Sequence, residues 1–182
     1  MKFGAVRQFF HWAITLVLLG QIPLAWYMID LPMSPDKFAT YALHKSIGIT
    51  LFTLAVARVI WALLSQRPAL PASMPRWQAI ISKGVEFFLY LLVILMPMTG
   101  WLMSSAANTP VSVWGVFTLP DLVEPGEQLM ETLKTVHESQ SIALMTLAVV
   151  HILAALKHHF IDKDNVLLSM LPLVKLTGTK RE

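Results

Sequence analysis

The sequence predicts an all-α integral membrane protein, a bundle of four transmembrane helices. Of its 182 residues, 55% are hydrophobic and only 14% are charged, whereas a soluble domain carries roughly a quarter charged residues. The mean hydropathy is +0.61. The apolar residues form four runs, each close to the ~20 residues that a helix needs to cross about 30 Å of hydrocarbon. The runs are continuous, unlike the alternating strands of a membrane barrel.

The four runs define the predicted helices of a single transmembrane domain that spans residues 1–182. The runs cover about residues 9–29, 44–64, 85–103 and 139–160. The first run follows Lys2 and Arg7 and could therefore be a signal peptide. However, Gln21, Pro23 and Trp26 do not make a small-residue cleavage site, so we expect a retained helix.

The basic residues predict the orientation of the chain. With the N-terminus inside, eleven of the 14 Lys and Arg residues fall on the inner side and three on the outer side. The three outer ones are Lys37, Lys45 and Lys134. The positive-inside rule then places both termini in the cytoplasm of a multi-pass bacterial inner-membrane protein. The net charge of +3 is therefore a topology signal, and we expect lipid rather than nucleic acid around the chain.

Three segments outside the four apolar runs can be assigned a role from their composition. Residues 68–75 are a proline-spaced inner linker, and residues 106–136 form the longest outer segment. We expect that outer segment to cap the bundle and to contain a helical piece at 124–136. The tail after Asp162 is mildly amphipathic, which favours a position at the inner surface.

The absence of cysteine narrows the possible cofactors. It excludes disulfides, iron–sulfur clusters, thiolate zinc sites and covalently attached c-type haem. No Walker or dinucleotide-binding glycine motif is present either.

Histidines occur at two depths in the predicted bundle. His11 begins the first helix near the inner leaflet, and His44 begins the second near the outer leaflet. His137 lies at the outer start of the fourth helix, and His151 follows 14 residues later, ~21 Å deeper and within ~40° of the same face. These positions predict two pairs, His44 with His137 and His11 with His151.

Two facing histidines are how a helix bundle holds the iron of b-type haem, so the pattern predicts two haem b groups, one per pair. Zinc would favour four ligands at one depth. A proton relay would more naturally use carboxylates. The plainest alternative is that each histidine only hydrogen-bonds a neighbouring helix. Small residues near the ligands, such as Gly48 and Ala155, suit a flat macrocycle but also ordinary membrane packing.

Short motifs along nearly the whole chain resemble the bacterial cytochrome b561 family, including its superoxide oxidase branch. They are Phe10-His11-Trp12, residues 43–48 (LHKSIG), residues 133–138 (LKTVHE), and His151 with residues 154–165 (AALKHHFIDKDN). The resemblance implies that His11, His44, His137 and His151 are the axial ligands of two haems. It also implies single-electron transfer across the membrane and exchange with quinone. Glu86 occupies a position where the family often has histidine.

The superoxide oxidase branch implies oxidation of superoxide at the outer haem and reduction of ubiquinone. Seven carboxylates make the outer face acidic, but Lys45 and Lys134 adjoin the outer pair and can attract an anion locally. Alternatively, they snorkel or pair with haem propionates. His158 lies ~10 Å beyond His151 on nearly the same face, where it can bind a quinone carbonyl or relay protons, with Lys157 and Glu86 as possible helpers. The alternative for His158 and His159 is an interfacial anchor.

Two rival functions remain open. The chain can be a haem-bearing subunit that links the quinone pool to a dehydrogenase or a periplasmic partner, with Trp114 and Phe117 in a docking surface rather than a cap. It can also be a haem-free transporter or structural bundle.

Overall fold

The computed structural model describes residues 2–66 and 74–174 and confirms the all-α membrane bundle. Its long helices are α1 (Ala5–Asp30), α2 (Pro35–Leu64), α3 (Arg76–Ala106) and α4 (Glu127–Phe160). All four are long and apolar enough to cross a membrane. A short helix, α5 (Val166–Met170), follows α4.

The long helices extend well beyond the predicted apolar runs. Helix α2 begins nine residues before His44, and α4 begins ten residues before His137. The predicted helical piece at 124–136 is thus the first part of α4 itself. These first turns are polar, and that of α2 is capped. At the start of α2, the Ser34 hydroxyl accepts a hydrogen bond from the Lys37 backbone N–H (3.3 Å), and Pro35 occupies the first turn.

The helices pack in chain order, α1 on α2, α2 on α3 and α3 on α4. Each contributes to one small apolar core of Ile14, Leu51, Ala55, Val93 and Leu144. Within the described part of the chain, α1 and α4 make no comparable backbone contact. Large apolar side chains cover the outward faces of the bundle and are exposed, as expected for surfaces that face lipid.

The end of α2 is held by a side chain from α1. Arg7 is buried, and its guanidinium donates to the Ser65 hydroxyl (3.0 Å) and to the carbonyls of Ala62 (3.1 Å) and Ser65 (2.7 Å). Carbonyls in the last turn of a helix lack intrahelical partners, so a cation there satisfies them and opposes the helix dipole.

The outer segment carries a two-stranded hairpin, β1 (Ser112–Val113) paired with β2 (Phe117–Thr118). Trp114 and Gly115 form its turn with φ of 53° and 70°, the left-handed geometry that a tight hairpin requires. The Ser46 hydroxyl accepts from the Trp114 backbone N–H (3.0 Å), and the Thr50 hydroxyl accepts from its indole N–H (3.1 Å). The hairpin therefore lies against α2, as the capping interpretation predicts.

Residues 166–174 return to the start of α1. The Gln8 amide donates to the Ser169 carbonyl (2.9 Å), and the Trp12 indole donates to the Met170 carbonyl (2.9 Å). Residues 166–174 thus lie at the same end of the bundle as the start of α1. Residues 67–73, which include most of the linker predicted at 68–75, and the residues from 175 onward lie outside the described residues.

Candidate functional site

The inner histidine pair meets across the gap between α1 and α4. The ring centroids of His11 and His151 are 6.1 Å apart, and the rings are inclined by 67°. Two imidazoles on opposite sides of one metal ion, each with its nitrogen at about 2.0–2.1 Å, would have ring centroids ~6.3 Å apart. The spacing of these two rings therefore fits one shared metal ion.

Polar and aromatic side chains surround the inner pair. The Arg58 guanidinium on α2 lies 3.4 Å from His11 Nδ1, and its Nε donates to the Tyr90 hydroxyl of α3 (3.0 Å). A guanidinium only donates hydrogen bonds. Arg58 can therefore donate to an unprotonated His11 Nδ1, but it cannot accept a proton from a protonated one. Arg58, Tyr90 and Glu86 line a small cleft beside the pair. Trp12 packs edge-on against His11, with centroids 5.2 Å apart.

The outer pair joins α2 to α4. His44 and His137 are near enough to interact electrostatically. Thr99 Oγ1 lies 3.2 Å from His137 Nδ1, and the same hydroxyl donates to Gln140 Oε1 (2.7 Å). The Met96 carbonyl is a second acceptor for this hydroxyl (2.9 Å). Because the hydroxyl gives its one proton to Gln140 or to Met96, its oxygen can accept a proton from Nδ1–H. A proton on Nδ1 leaves His137 Nε2 as a free ligand, which is the usual arrangement around a bound metal.

Gly100 on α3 allows the ring of His137, which is on α4, to pack closely against the α3 backbone. A Cβ built at Gly100 would lie 3.2 Å from His137 Cε1 and 3.6 Å from Nδ1. The Nδ1–Cε1 edge of the ring thus packs on the α3 backbone, and Nε2 faces away from it. A side chain at this position would force the imidazole to move by a few tenths of an ångström.

His44 is held at its backbone rather than at its ring. The Gln21 amide of α1 donates to the His44 carbonyl (2.8 Å). His44 Nδ1 and Gln21 Oε1 are both buried and have no hydrogen-bond partner in the described part of the chain.

The outer lysines differ in their partners. Lys45 Nζ donates to the carbonyl and the hydroxyl of Thr109 (3.1 and 3.2 Å). These acceptors are neutral, so the positive charge is retained beside His44. Lys134 Nζ lies 3.8 Å from Glu131 Oε2, and both side chains are more than half exposed. The charge of Lys134 is therefore partly offset by Glu131.

His158 is buried at the inner end of α4, in a polar cluster. Its Nδ1 lies 2.6 Å from Asp164 Oδ2 and 3.2 Å from Asp162 Oδ2, and its Nε2 lies 3.4 Å from the Gln78 amide. Lys157 pairs with Asp162 at 2.7 Å. Both ring nitrogens of His158 thus already have protein partners, which the sequence did not indicate.

Sequence reasoning selected the four histidines but not the side chains around them. Gln21, Thr99 and Arg58 are polar residues inside apolar helices, and that interruption is the signal that could have singled them out. Asp164 and Gln78 carry no such signal because they lie near helix ends.

Comparison with known proteins agrees with these features. The profile of the family described as prokaryotic cytochrome b561 matches residues 2–173. The chain belongs to this family. Cytochrome b561 homolog 2 of Escherichia coli K12 is 33% identical over 93% of this chain and 91% of its own length. Cytochrome b561 homolog 1 of the same organism is 27% identical over 94% of this chain and 97% of its own. A probable superoxide oxidase CybB of Yersinia pestis is 28% identical over 94% of this chain and 96% of its own.

Membership in the cytochrome b561 family settles the broad function. The protein is a multi-pass bacterial inner-membrane cytochrome that binds haem b and takes part in membrane electron transfer. At this level the expected lipid and redox partners are confirmed. The resemblance of the sequence to the cytochrome b561 family is confirmed as well. The residue chemistry agrees, because imidazoles are the usual axial ligands of haem b and the chain has no cysteine.

Proposed function

We propose that the protein binds two haem b groups, one held by His11 and His151 and the other by His44 and His137. The observation that carries this proposal is the 6.1 Å separation of the His11 and His151 rings, from helices that otherwise scarcely touch. The Thr99 contact to His137 and the lack of a side chain at Gly100 support the outer site. When bound, the haems supply one-electron storage at two depths of the membrane.

The activity that we propose is superoxide:ubiquinone oxidoreduction, with both termini in the cytoplasm. Two superoxide anions each lose one electron at the outer side and leave as dioxygen. Ubiquinone gains those two electrons and two protons at the inner side and becomes ubiquinol. The supporting observations are the similarity to a probable superoxide oxidase and the retained charge of Lys45 beside His44.

Lys45 and Lys134 have unequal roles in this proposal. Among the described residues, Lys45 hydrogen-bonds the neutral oxygens of Thr109 and no carboxylate, so its positive charge is available to an approaching anion. Lys134 shares its field with Glu131. We therefore assign the main attraction of superoxide to Lys45 and a smaller contribution to Lys134.

We assign proton relay to His158 rather than direct capture of quinone. Its Nδ1 hydrogen-bonds the carboxylates of Asp164 and Asp162. Once the Gln78 amide moves away from Nε2, the imidazole can pass a proton to a quinone that is being reduced and regain one through the carboxylates. Binding of a quinone carbonyl at Nε2 would first require the Gln78 amide to move.

The test begins with absorption spectra and haem content of the purified protein. We expect two haems per chain, and loss of one haem in each of the variants His11→Ala and His44→Ala. Superoxide should then reduce the haems rapidly, superoxide dismutase should abolish that reduction, and ubiquinone-1 should reoxidise them. Reduction that is insensitive to dismutase, or haems that ubiquinone leaves reduced, would overturn the proposed activity.

A set of lysine variants tests the outer side. We expect Lys45→Gln to slow reduction by superoxide several-fold at low salt and to weaken its salt dependence, and Lys134→Gln to have a smaller effect. Lys37→Gln is the matched control. Lys37 is also an outer cation on α2, and it donates to the carbonyls of Ile29 and Leu31. Equal effects of all three variants would argue against a local role for Lys45.

A second candidate function rests on the hairpin. Its tip exposes Trp114, Val116 and Phe117, with Val116 81% accessible, so a periplasmic electron-transfer partner can dock there. In that case the protein would exchange electrons between quinol and this partner. Fast haem reduction by ubiquinol together with no reaction with superoxide would favour this candidate.

A further inference from the structure

Two unpartnered buried polar atoms lie close to the outer histidine pair. They are Nδ1 of His44 on α2 and Oε1 of Gln21 on α1. Gln21 is only 8% exposed, so water does not satisfy its oxygen from the outside. Buried polar atoms are almost always hydrogen-bonded, which makes two orphans at one helix contact a feature that needs an explanation.

The orientation of the Gln21 amide is fixed by its other contact. Its Nε2 donates to the His44 carbonyl at 2.8 Å, and a carbonyl can only accept, so nitrogen and oxygen cannot be exchanged. The amide oxygen is bonded to the same carbon as this nitrogen and therefore stays beside His44. Gly48, one turn after His44, lies beside the amide: a Cβ built there would make an ordinary contact of 3.7 Å with Gln21 Nε2.

The two atoms are chemically complementary. An imidazole that ligates iron through Nε2 carries its proton on Nδ1 and normally donates it to an acceptor. The other outer ligand, His137, has Thr99 in that position. His44 lacks such an acceptor in the described residues, and Gln21 Oε1 is an acceptor without a donor.

We infer that Gln21 is a positioning residue for the outer haem. Its amide oxygen accepts a hydrogen bond from His44 Nδ1–H when His44 Nε2 binds iron. One amide then holds His44 at two points, its backbone carbonyl and its ring. This inference rests on the proposed ligation by His44. The bond increases the electron donation of the imidazole to iron, which stabilises the oxidised state and lowers the reduction potential of the outer haem.

Two variants of Gln21 should shift that potential in opposite directions. Gln21→Leu removes the acceptor, so we expect a more positive midpoint potential for the outer haem. Gln21→Glu supplies a stronger acceptor, so we expect a more negative one. The measurement is a spectroscopic redox titration of the full-length protein in detergent, with the two haems resolved by their separate midpoint potentials.

Gln8→Leu is the matched control. Gln8 is also a buried glutamine on α1, and its amide donates to the Ser169 carbonyl near the inner end of the bundle. We expect this variant to leave the outer potential unchanged. The same outer shift in Gln8→Leu as in Gln21→Leu would show a general effect of removing a buried amide and would overturn the inference.

Other outcomes are equally decisive. Shifts of the same sign in both Gln21 variants, or loss of the outer haem in both, would show that Gln21 only fills space, which overturns the inference. A variant His44→Ala separates this failure from that of the proposed ligation. If His44→Ala keeps both haems, ligation by His44 is wrong. If it loses one haem while Gln21→Leu leaves the potential unchanged, only the role of Gln21 is wrong.

Discussion

Replacing Gly100 by alanine tests how tightly α3 positions the outer ligand. The new methyl group would sit 3.2 Å from His137 Cε1, whereas carbon atoms in contact prefer about 3.5–4.0 Å. The imidazole would therefore have to retreat from α3 by a few tenths of an ångström. A free ring can rotate to do so, but a ring bonded to iron cannot without straining the bond. We expect the strain to appear as weaker binding of the outer haem.

The size of the expected loss in haem binding follows from a comparison with Gly84→Ala in the same helix. A Cβ at Gly84 has no other atom within 4 Å, so this variant should gain only the helix preference of alanine, about 0.5–1 kcal/mol. Gly100→Ala has the same gain offset by overpacking of about 1–3 kcal/mol. The difference of about 1–3 kcal/mol between the two variants corresponds to roughly 5- to 160-fold faster loss of the outer haem.

The assay is the release of haem to excess apomyoglobin, together with the reduced absorption spectrum of each variant. We expect the inner haem to be unaffected, because its proposed ligands, His11 and His151, come from α1 and α4 and lie away from Gly100. The reasoning is refuted if Gly100→Ala and Gly84→Ala release haem at the same rate and show the same outer spectrum.

Three further predictions concern single hydrogen-bonded side chains. Ser46→Ala should lower the unfolding free energy by about 1–3 kcal/mol, because it leaves the Trp114 backbone N–H without its buried acceptor. Thermal melting checks this against the control Ser139→Ala, whose hydroxyl is exposed. Equal melting temperatures of the two variants would contradict the prediction. Arg7→Lys should cost a similar amount, about 1–3 kcal/mol, since an ammonium cannot reproduce the guanidinium's three bonds to the end of α2; unchanged melting and unchanged protease resistance near Ser65 would contradict this. Asp164→Asn and His158→Ala should each slow ubiquinone reduction while both haems stay bound, because each interrupts the proposed proton relay; ubiquinol formation at the wild-type rate in both variants would exclude the relay.

The bundle itself follows from composition and spacing alone. Four continuous apolar runs can be satisfied in a bilayer only as helices, because the hydrocarbon offers the backbone no hydrogen-bond partner. The histidine depths follow in turn from the fixed rise of a helix. His11, His44, His137 and His151 could therefore be placed near two leaflets before any tertiary information was available.

The helix ends were less accessible to prediction. Hydropathy marks only the part of a helix inside hydrocarbon, so the polar first turns of α2 gave no signal, and those of α4 were expected only as a separate helical piece at 124–136. The hairpin turn at Trp114 was equally hidden, since Ser46 and Thr50, which bond this left-handed tryptophan, lie on another element.

The sequence by itself thus determined the membrane fold, the family and the chemical type of the ligands, because these depend on local hydropathy and on residue identity. Only the tertiary structure showed that Gly100 packs on His137, that Gln21 holds His44, and that Asp164 and Gln78 enclose His158. Each of these contacts joins residues from different elements. No periodicity within one helix encodes such a contact, because it depends on how the helices are rotated against each other when they pack.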